Sequence, residues 1–445
     1  MLGMPRIPAL RCFLFSLLSG AACGAEDDRT VDIGGNECAS IEPCSITEEA
    51  CQQAILELTA CVRGDDAREL PPIRTLSRAQ LAAELSAQAE ESAGSEMDEG
   101  TRAMELTFAE LQLIAPATSL RDASVAEQAA SVAAYYRREE KDITIISDAV
   151  MEQEPAMNVL SHELTHYLQD RVGQLRNASE ATLDESVSLR ALTEGDAVVT
   201  SYRTIAAMRG WSASQVRWDA LWSELERSIV ASTEASDSPL LAAATQLPYV
   251  ISPPAIELAW ERGGRAQVEQ FYESPPLTQL DWLEGSTVFT YAEPLDCFPA
   301  LPPDGYELIA ADSLGIAGVF ALLSARELNS ASLALAGRWR QDQLAVYVQR
   351  AQADEGTLEV LAAWRIRFAD SASASDLEHQ LEILDLDVTR AGSELLIRVR
   401  SGADANLEAS GCPTDEQFAA VPRRGRDVEA SLRTVLQRLQ PARHH

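Results

Sequence analysis

The sequence predicts an α+β protein, predominantly α-helical, and three observations carry that reading. Apolar residues recur at helical spacing through most of the first half of the chain. Runs rich in β-branched residues are few and short: Ile143-Thr144-Ile145-Ile146 in the first half, and segments at 344–349, 357–368 and 395–400 in the second. Proline pairs at Pro71-Pro72, Pro275-Pro276 and Pro302-Pro303 punctuate the chain between such segments.

In order, Arg6 and Arg11 precede an apolar run at 12–18 and the small residues Ser19-Gly20-Ala21-Ala22-Cys23, the pattern of a secretion signal. It resembles a bacterial lipoprotein signal, in which Cys23 becomes a lipid anchor, although Gly20 stands where that pattern usually has Leu. Ordinary cleavage after Ala22 or Ala25 is the alternative. The expected location is extracytoplasmic, either lipid-anchored to the cell envelope or secreted. No other apolar run is long enough to span a bilayer.

Six further cysteines follow, an even number in an oxidising compartment, so disulfides are expected. Cys38, Cys44, Cys51 and Cys61 are expected to staple a small helical hairpin to itself, and Cys297 to pair with Cys412. The rival reading, a second zinc site at the cysteine cluster, lacks a CxxC pair or a nearby His. Helices are predicted at 48–62, 76–90, 104–114 and 124–134. Two short strands, 135–137 and 142–147, are joined by a charged turn at Glu139 to Lys141.

Next comes His162-Glu163-Leu164-Thr165-His166. On a helix, residues four apart share a face, so the two imidazoles can converge on one zinc ion with Glu163 beside them. Pro155 suits the first turn, Leu160, Leu164 and Leu168 form an apolar row, and Gly173 follows the last turn. Zinc needs a third protein ligand and keeps its fourth position for water. The chain has five histidines, two of them its last two residues, which favours an acidic ligand. Glu194, in Thr193-Glu194-Gly195-Asp196-Ala197, is the best placed. A turn through 173–181 and a second, antiparallel helix over about 182–208 would bring it to the metal face.

These two motifs resemble those of the gluzincins, the zinc peptidases of the thermolysin and aminopeptidase type. The resemblance implies a zincin-like zinc domain, with His162, His166 and Glu194 binding Zn2+ and Glu163 acting as general base. It implies that the β-hairpin before the zinc helix offers an edge strand to an extended protein or peptide substrate. It also implies an oxyanion-stabilising Tyr before a helix near 255–262 that ends at Gly263-Gly264. Tyr249 is the choice, with Tyr202 and His379 behind it, although Ser252-Pro253-Pro254 stands where a small flexible residue is expected. Asp196 is either an anchor for a ligating imidazole or a solvated carboxylate. Asp170 and Asp184 are weaker candidates for similar support.

Amphipathic segments at 213–230 and 239–245 precede Tyr249. Beyond the loop-rich stretch at 275–303, helices are expected at 315–323, 330–338, 375–383 and 427–439 among the three strand-like segments. The divisions are a signal at 1–23, a Cys-rich segment and linker at 24–70, a gluzincin-like domain at 71–300 and an α+β region at 301–445. A net charge of −33 repels phosphate backbones and anionic headgroups, so nucleic acid and electrostatic membrane binding are not expected. Only one of the thirty-six basic residues is Lys, a bias that reads as coding preference. The leading expectation is a zinc metallopeptidase. The alternative is an inactive surface or periplasmic lipoprotein of the same fold that works as a binding module. A third idea is a latent enzyme held off by the segment before Leu70.

Overall fold

The computed structural model describes residues 30–32, 37–92, 99–149, 151–175, 182–284, 305–324, 331–349, 358–382 and 386–401. The signal with Cys23, the Cys297–Cys412 pair and the helix expected at 427–439 lie outside the described residues. The described chain is α+β and mostly helical.

Strands β1 (Thr30–Asp32) and β2 (Glu37–Ala39) pair antiparallel and lead to α1 (Glu49–Arg63). This helix ends at Gly64, whose φ of 77° reverses the chain. Cys38–Cys61 ties β2 to its last turn, and Cys44–Cys51 ties the connecting loop to its first. The four cysteines therefore pair among themselves as expected, but around a strand and one helix, not a helical hairpin.

Strand β3 (Ile73–Leu76) follows Pro72 and precedes α2 (Arg78–Ser92), α3 (Glu99–Glu110) and α4 (Leu120–Ser131). The hairpin then forms within a residue of its predicted bounds, as β4 (Ala134–Arg137) and β5 (Asp142–Ile146). Strand β3 pairs parallel with β5, Ile73 opposite Ile143, giving a three-stranded sheet of order β3-β5-β4. Nothing in four residues announces a partner seventy positions away, so the sequence reading misses β3.

Helix α5 (Gln153–Arg171) buries Leu160, Leu164 and Leu168 in a core shared with Ile55 and Leu56 of α1 and Ile143 of β5. Its end is closed by the Gln174 N–H on the Gln169 carbonyl across Gly173, at φ 73°. Helix α6 (Leu183–Met208) opens with a capping box: the Thr182 hydroxyl accepts the Glu185 N–H, and the Glu185 carboxylate accepts the Thr182 N–H. The two helices run antiparallel, as their contacts require: Arg209 reaches Glu154 at one end, and Gln169 reaches Thr193 nearer the other.

A single 3-10 turn (Ala213–Gln215) precedes α7 (Trp218–Ala235), α8 (Pro239–Gln246), α9 (Pro248–Ile251), α10 (Pro253–Glu273) and α11 (Gln279–Glu284). The sequence reading ends this helix at Gly263-Gly264, but α10 does not stop there. It kinks there, Gly264 taking φ 62°, and resumes. The remainder is β6 (Tyr306–Asp312), α12 (Gly315–Ser324), α13 (Ala331–Ala336), β7 (Trp339–Gln349), β8 (Glu359–Phe368), α14 (Ser371–Glu382), β9 (Asp387–Ala391) and β10 (Glu394–Ser401). Its five strands form one antiparallel sheet, β6-β7-β8-β10-β9. The two strands missed in the sequence, β6 and β9, are its edges, where alternation is weakest.

Two apolar cores meet along α6. Leu183, Val187, Ala191 and Val199 belong to the larger, with α8, α10, α12 and the five-stranded sheet. Ile205, Ala207 and Met208 belong to the smaller, with α1, α5 and β5. The start of α6 is locked to the sheet by polar bonds: the Leu183 N–H to Asp312 at 2.9 Å and the Asp184 N–H to the Ser313 carbonyl at 3.0 Å. Asp184 thus serves this junction, its carboxylate accepting the Gln279 N–H, and not an imidazole. Among the described residues no helix is long and apolar enough to cross a membrane.

Candidate metal centre

His162 and His166 leave α5 on the side away from Leu160, Leu164 and Leu168, one turn apart, as the i, i+4 spacing dictates. Glu194 meets them from the middle of α6. The two Nε2 atoms are 3.1 Å apart, and Glu194 Oε2 lies 3.1 Å from His162 and 3.3 Å from His166. Among the described residues these three form a His/Glu group that could hold a metal ion. All three are largely buried. Burial by itself would raise the Glu194 carboxyl, but His166, His162 and Arg190 hold it well below the ordinary carboxylate range. Burial alone would lower His166, yet Glu194 beside it pushes it up to about 9.

The tautomer of His166 follows from its neighbours. Gln169, one turn on, gives its Nε2 hydrogens to groups that include the Thr193 carbonyl at 2.9 Å and Asp196 Oδ2 at 3.1 Å. A carbonyl can only accept, so the Gln169 amide is oriented with Oε1 toward His166 Nδ1, at 2.8 Å. Nδ1 therefore donates, and a cation that displaces the proton from Nε2 would meet that nitrogen's lone pair. Asp196 is not bonded to an imidazole, as one expectation had it, nor is it solvated. It is fully buried and holds Gln169, together with Tyr272 at 2.8 Å and Arg63 at 2.8 Å. Burial would raise its carboxyl; Arg63 holds it low.

Glu163 is buried beside the cluster, and its Oε2 accepts the Tyr136 N–H of β4 at 2.8 Å. Burial raises its carboxyl above the usual value, against the pull of the two imidazoles. Because β4 edges its sheet, this bond sets the strand edge alongside the acid. Asp170 braces the same hairpin, accepting Tyr136 Oη at 2.8 Å and pairing with Arg138 at 3.2 Å and with Lys141, the lone lysine. It supports the strand, not a ring.

The Tyr249 ring stacks on His162, centroids 5.8 Å apart and planes 25° from parallel. The guanidinium of Arg190 lies 5.8 Å from the centroid of the same ring, while Arg190 Nε bonds Glu194 Oε1 at 3.2 Å. Burial first, then the Glu194 charge, pushes the Tyr249 hydroxyl up. Tyr249 reaches the cluster because α9 and the start of α10 press onto α6 at Gly195, where a Cβ would meet Ser252 Oγ at 2.2 Å. Ser252 anchors that approach through its hydroxyl on the Ala191 carbonyl. The Ser-Pro-Pro step is thus a docking point. Tyr202 is buried two turns farther along α6, and His379 is exposed on α14 beside Glu382; neither joins the group.

Sequence reasoning overlooks Arg190, Gln169 and Arg63. The first two carry a signal, each one turn from a motif residue on the same face. Arg63 carries none, being more than a hundred residues from Asp196. The chain matches no family model, no curated protein and no solved structure.

Proposed function

We propose that this chain is an extracytoplasmic zinc metallopeptidase of gluzincin type that hydrolyses peptide bonds in proteins or peptides. The observation that carries the reading is the triangle of His162 Nε2, His166 Nε2 and Glu194 Oε2, with sides of 3.1 to 3.3 Å. Ligands at about 2.0–2.1 Å from a tetrahedral zinc stand roughly 3.3–3.4 Å apart, so the donors are already gathered to that size. Two neutral nitrogens and one carboxylate also match zinc's preference over the all-oxygen sets of calcium or magnesium.

Zinc held there supplies a water of near-neutral pKa and a Lewis acid for a carbonyl oxygen. Glu163 is the general base, its proton affinity raised by burial, taking the proton of the attacking water and returning it to the leaving amine. Tyr249 is a neutral hydroxyl donor at the same cluster, suited to the developing oxyanion. Arg190 holds Glu194 Oε1, which leaves Oε2 for the metal. The edge of β4 beside Glu163 suits an extended substrate segment, bound through its main chain. The signal-like N-terminus supports export, with Cys23 as its candidate lipid anchor.

Metal analysis with a cleavage assay on an unstructured protein tests this. Wild type and Glu163→Gln should each hold one zinc per chain, with hydrolysis in the variant lowered about 10²- to 10⁴-fold. Glu194→Ala should lose the metal. Zinc-loaded protein that cleaves nothing, with Glu163→Gln silent, would make the chain a binding module.

A further inference from the structure

Helix α1, the first among the described residues, is not merely attached to the helices that carry the His/Glu group. Arg63, in the last turn of α1, is buried between them. One amino group, Nη2, donates to Asp196 Oδ2 on α6 at 2.8 Å and to Gln174 Oε1 just beyond α5 at 2.6 Å. The other donates to Asp65 at 2.5 Å, and Asp65 in turn pairs with Arg265 of α10. A second buried bond, Thr59 to Ser161 at 2.9 Å, fixes α1 to α5 next to His162. Cys38–Cys61 closes two residues before Arg63.

From these contacts we infer that α1 is a working part of the metal centre: Arg63, acting through Asp196 and Gln169, is a positioning residue that fixes the ring of His166 with Nε2 free for a metal. This inference rests on the metal-centre reading above. The chain of bonds is continuous: Arg63 Nη2 to Asp196 Oδ2, Gln169 Nε2 to the same oxygen, and Gln169 Oε1 to His166 Nδ1. Without Arg63 the buried Asp196 carboxylate has no paired cation among the described residues. The Asp196 charge, which with the Thr193 carbonyl holds the NH2 end of Gln169 away from His166, then weakens, and the amide turns over more readily. Turned over, it would donate to Nδ1, forcing the proton onto Nε2 and removing a ligand. A latent-enzyme role for the segment before Leu70 would need α1 to be displaceable; instead it completes the support of a ligand.

The experiment uses the full chain: Zn2+ affinity by competition with a chromophoric chelator, the visible spectrum of the Co2+ form, and the His166 tautomer by 15N NMR of the metal-free protein above pH 10, where a ring pushed up to about 9 is neutral. Arg63→Met, shown folded by circular dichroism, should bind zinc about tenfold or more weakly. It should also alter the Co2+ bands and mix the His166 tautomers. A purely structural role would lower the melting point and leave all three unchanged. Arg63→Met combined with Gln169→Met should be little worse than the poorer single variant, because both interrupt one path. If Arg63→Met does not fold, Arg63→Met with Asp196→Asn removes the buried pair together and is measured the same way. Folded variants with wild-type zinc affinity and tautomer, or additive losses, overturn the inference. Wild type that takes up no zinc overturns the metal-centre reading itself, whereas zinc-binding wild type beside an equal variant overturns only this step.

Discussion

At Gly195 the absence of a side chain is what lets Tyr249 reach His162. An added Cβ would stand 2.2 Å from Ser252 Oγ, 3.0 Å from Ser252 Cβ and 3.3 Å from the Pro253 nitrogen; turning the hydroxyl away would break its bond to the Ala191 carbonyl and leave the other two contacts. Gly195→Ala should cost about 1–3 kcal/mol as overpacking. It should also lower activity more than zinc content, because the ligands stay and the tyrosine moves; denaturant midpoints beside metal analysis separate the two. Tyr249→Phe isolates the hydroxyl. With zinc unchanged, kcat should fall about 10²-fold, the loss typical of one oxyanion donor. An unaltered kcat would reassign Tyr249 to packing against His162 and Arg190. Both residues are visible in the sequence, but only their meeting explains them.

Among the elements, α5 and α6 were the most legible, because every signal that builds them is local. The apolar row of α5, its Gly173 terminus and the Thr182-to-Glu185 capping box lie within a few residues of what they control. Helix α1 was legible as a helix and not as a partner of the site. Its disulfide Cys38–Cys61 closes a loop of separation 23, so Cys38→Ser with Cys61→Ser should destabilise the fold by roughly 3 kcal/mol. The same change should weaken zinc binding by loosening the turn that carries Arg63. Replacing Cys44 and Cys51 together, a separation of 7, should do less on both counts. Chemical unfolding and chelator competition check the pair of outcomes.

Across the whole molecule, α6 carries one of the three donors that could hold a metal at the meeting of two cores, so the described part of the second half bears on the site without adding a donor to that group. Asp342, buried on β7, accepts the indole N–H groups of Trp339 at 3.1 Å and Trp364 at 2.6 Å. It also accepts the backbone N–H groups of Leu314 at 2.9 Å and Gly315 at 3.0 Å, beside the start of α6. Asp342→Ala strands these buried donors and should cost at least about 3 kcal/mol, read as a lower urea midpoint. An unchanged midpoint would show the junction to be replaceable. By itself the sequence determined the hairpin before α5, the pairing of four cysteines among themselves, the three donors that could hold a metal and most of the helices, though not the short α9 and α11. These follow from spacings shorter than a few turns and from the chemistry of single side chains. The tertiary structure alone decided that β3 joins the hairpin, that Gly195 seats Ser252, and that Arg63 reaches Asp196. Each of those needs two distant stretches brought within a few ångströms, and the packing of apolar faces that brings them together leaves no periodic trace along the chain.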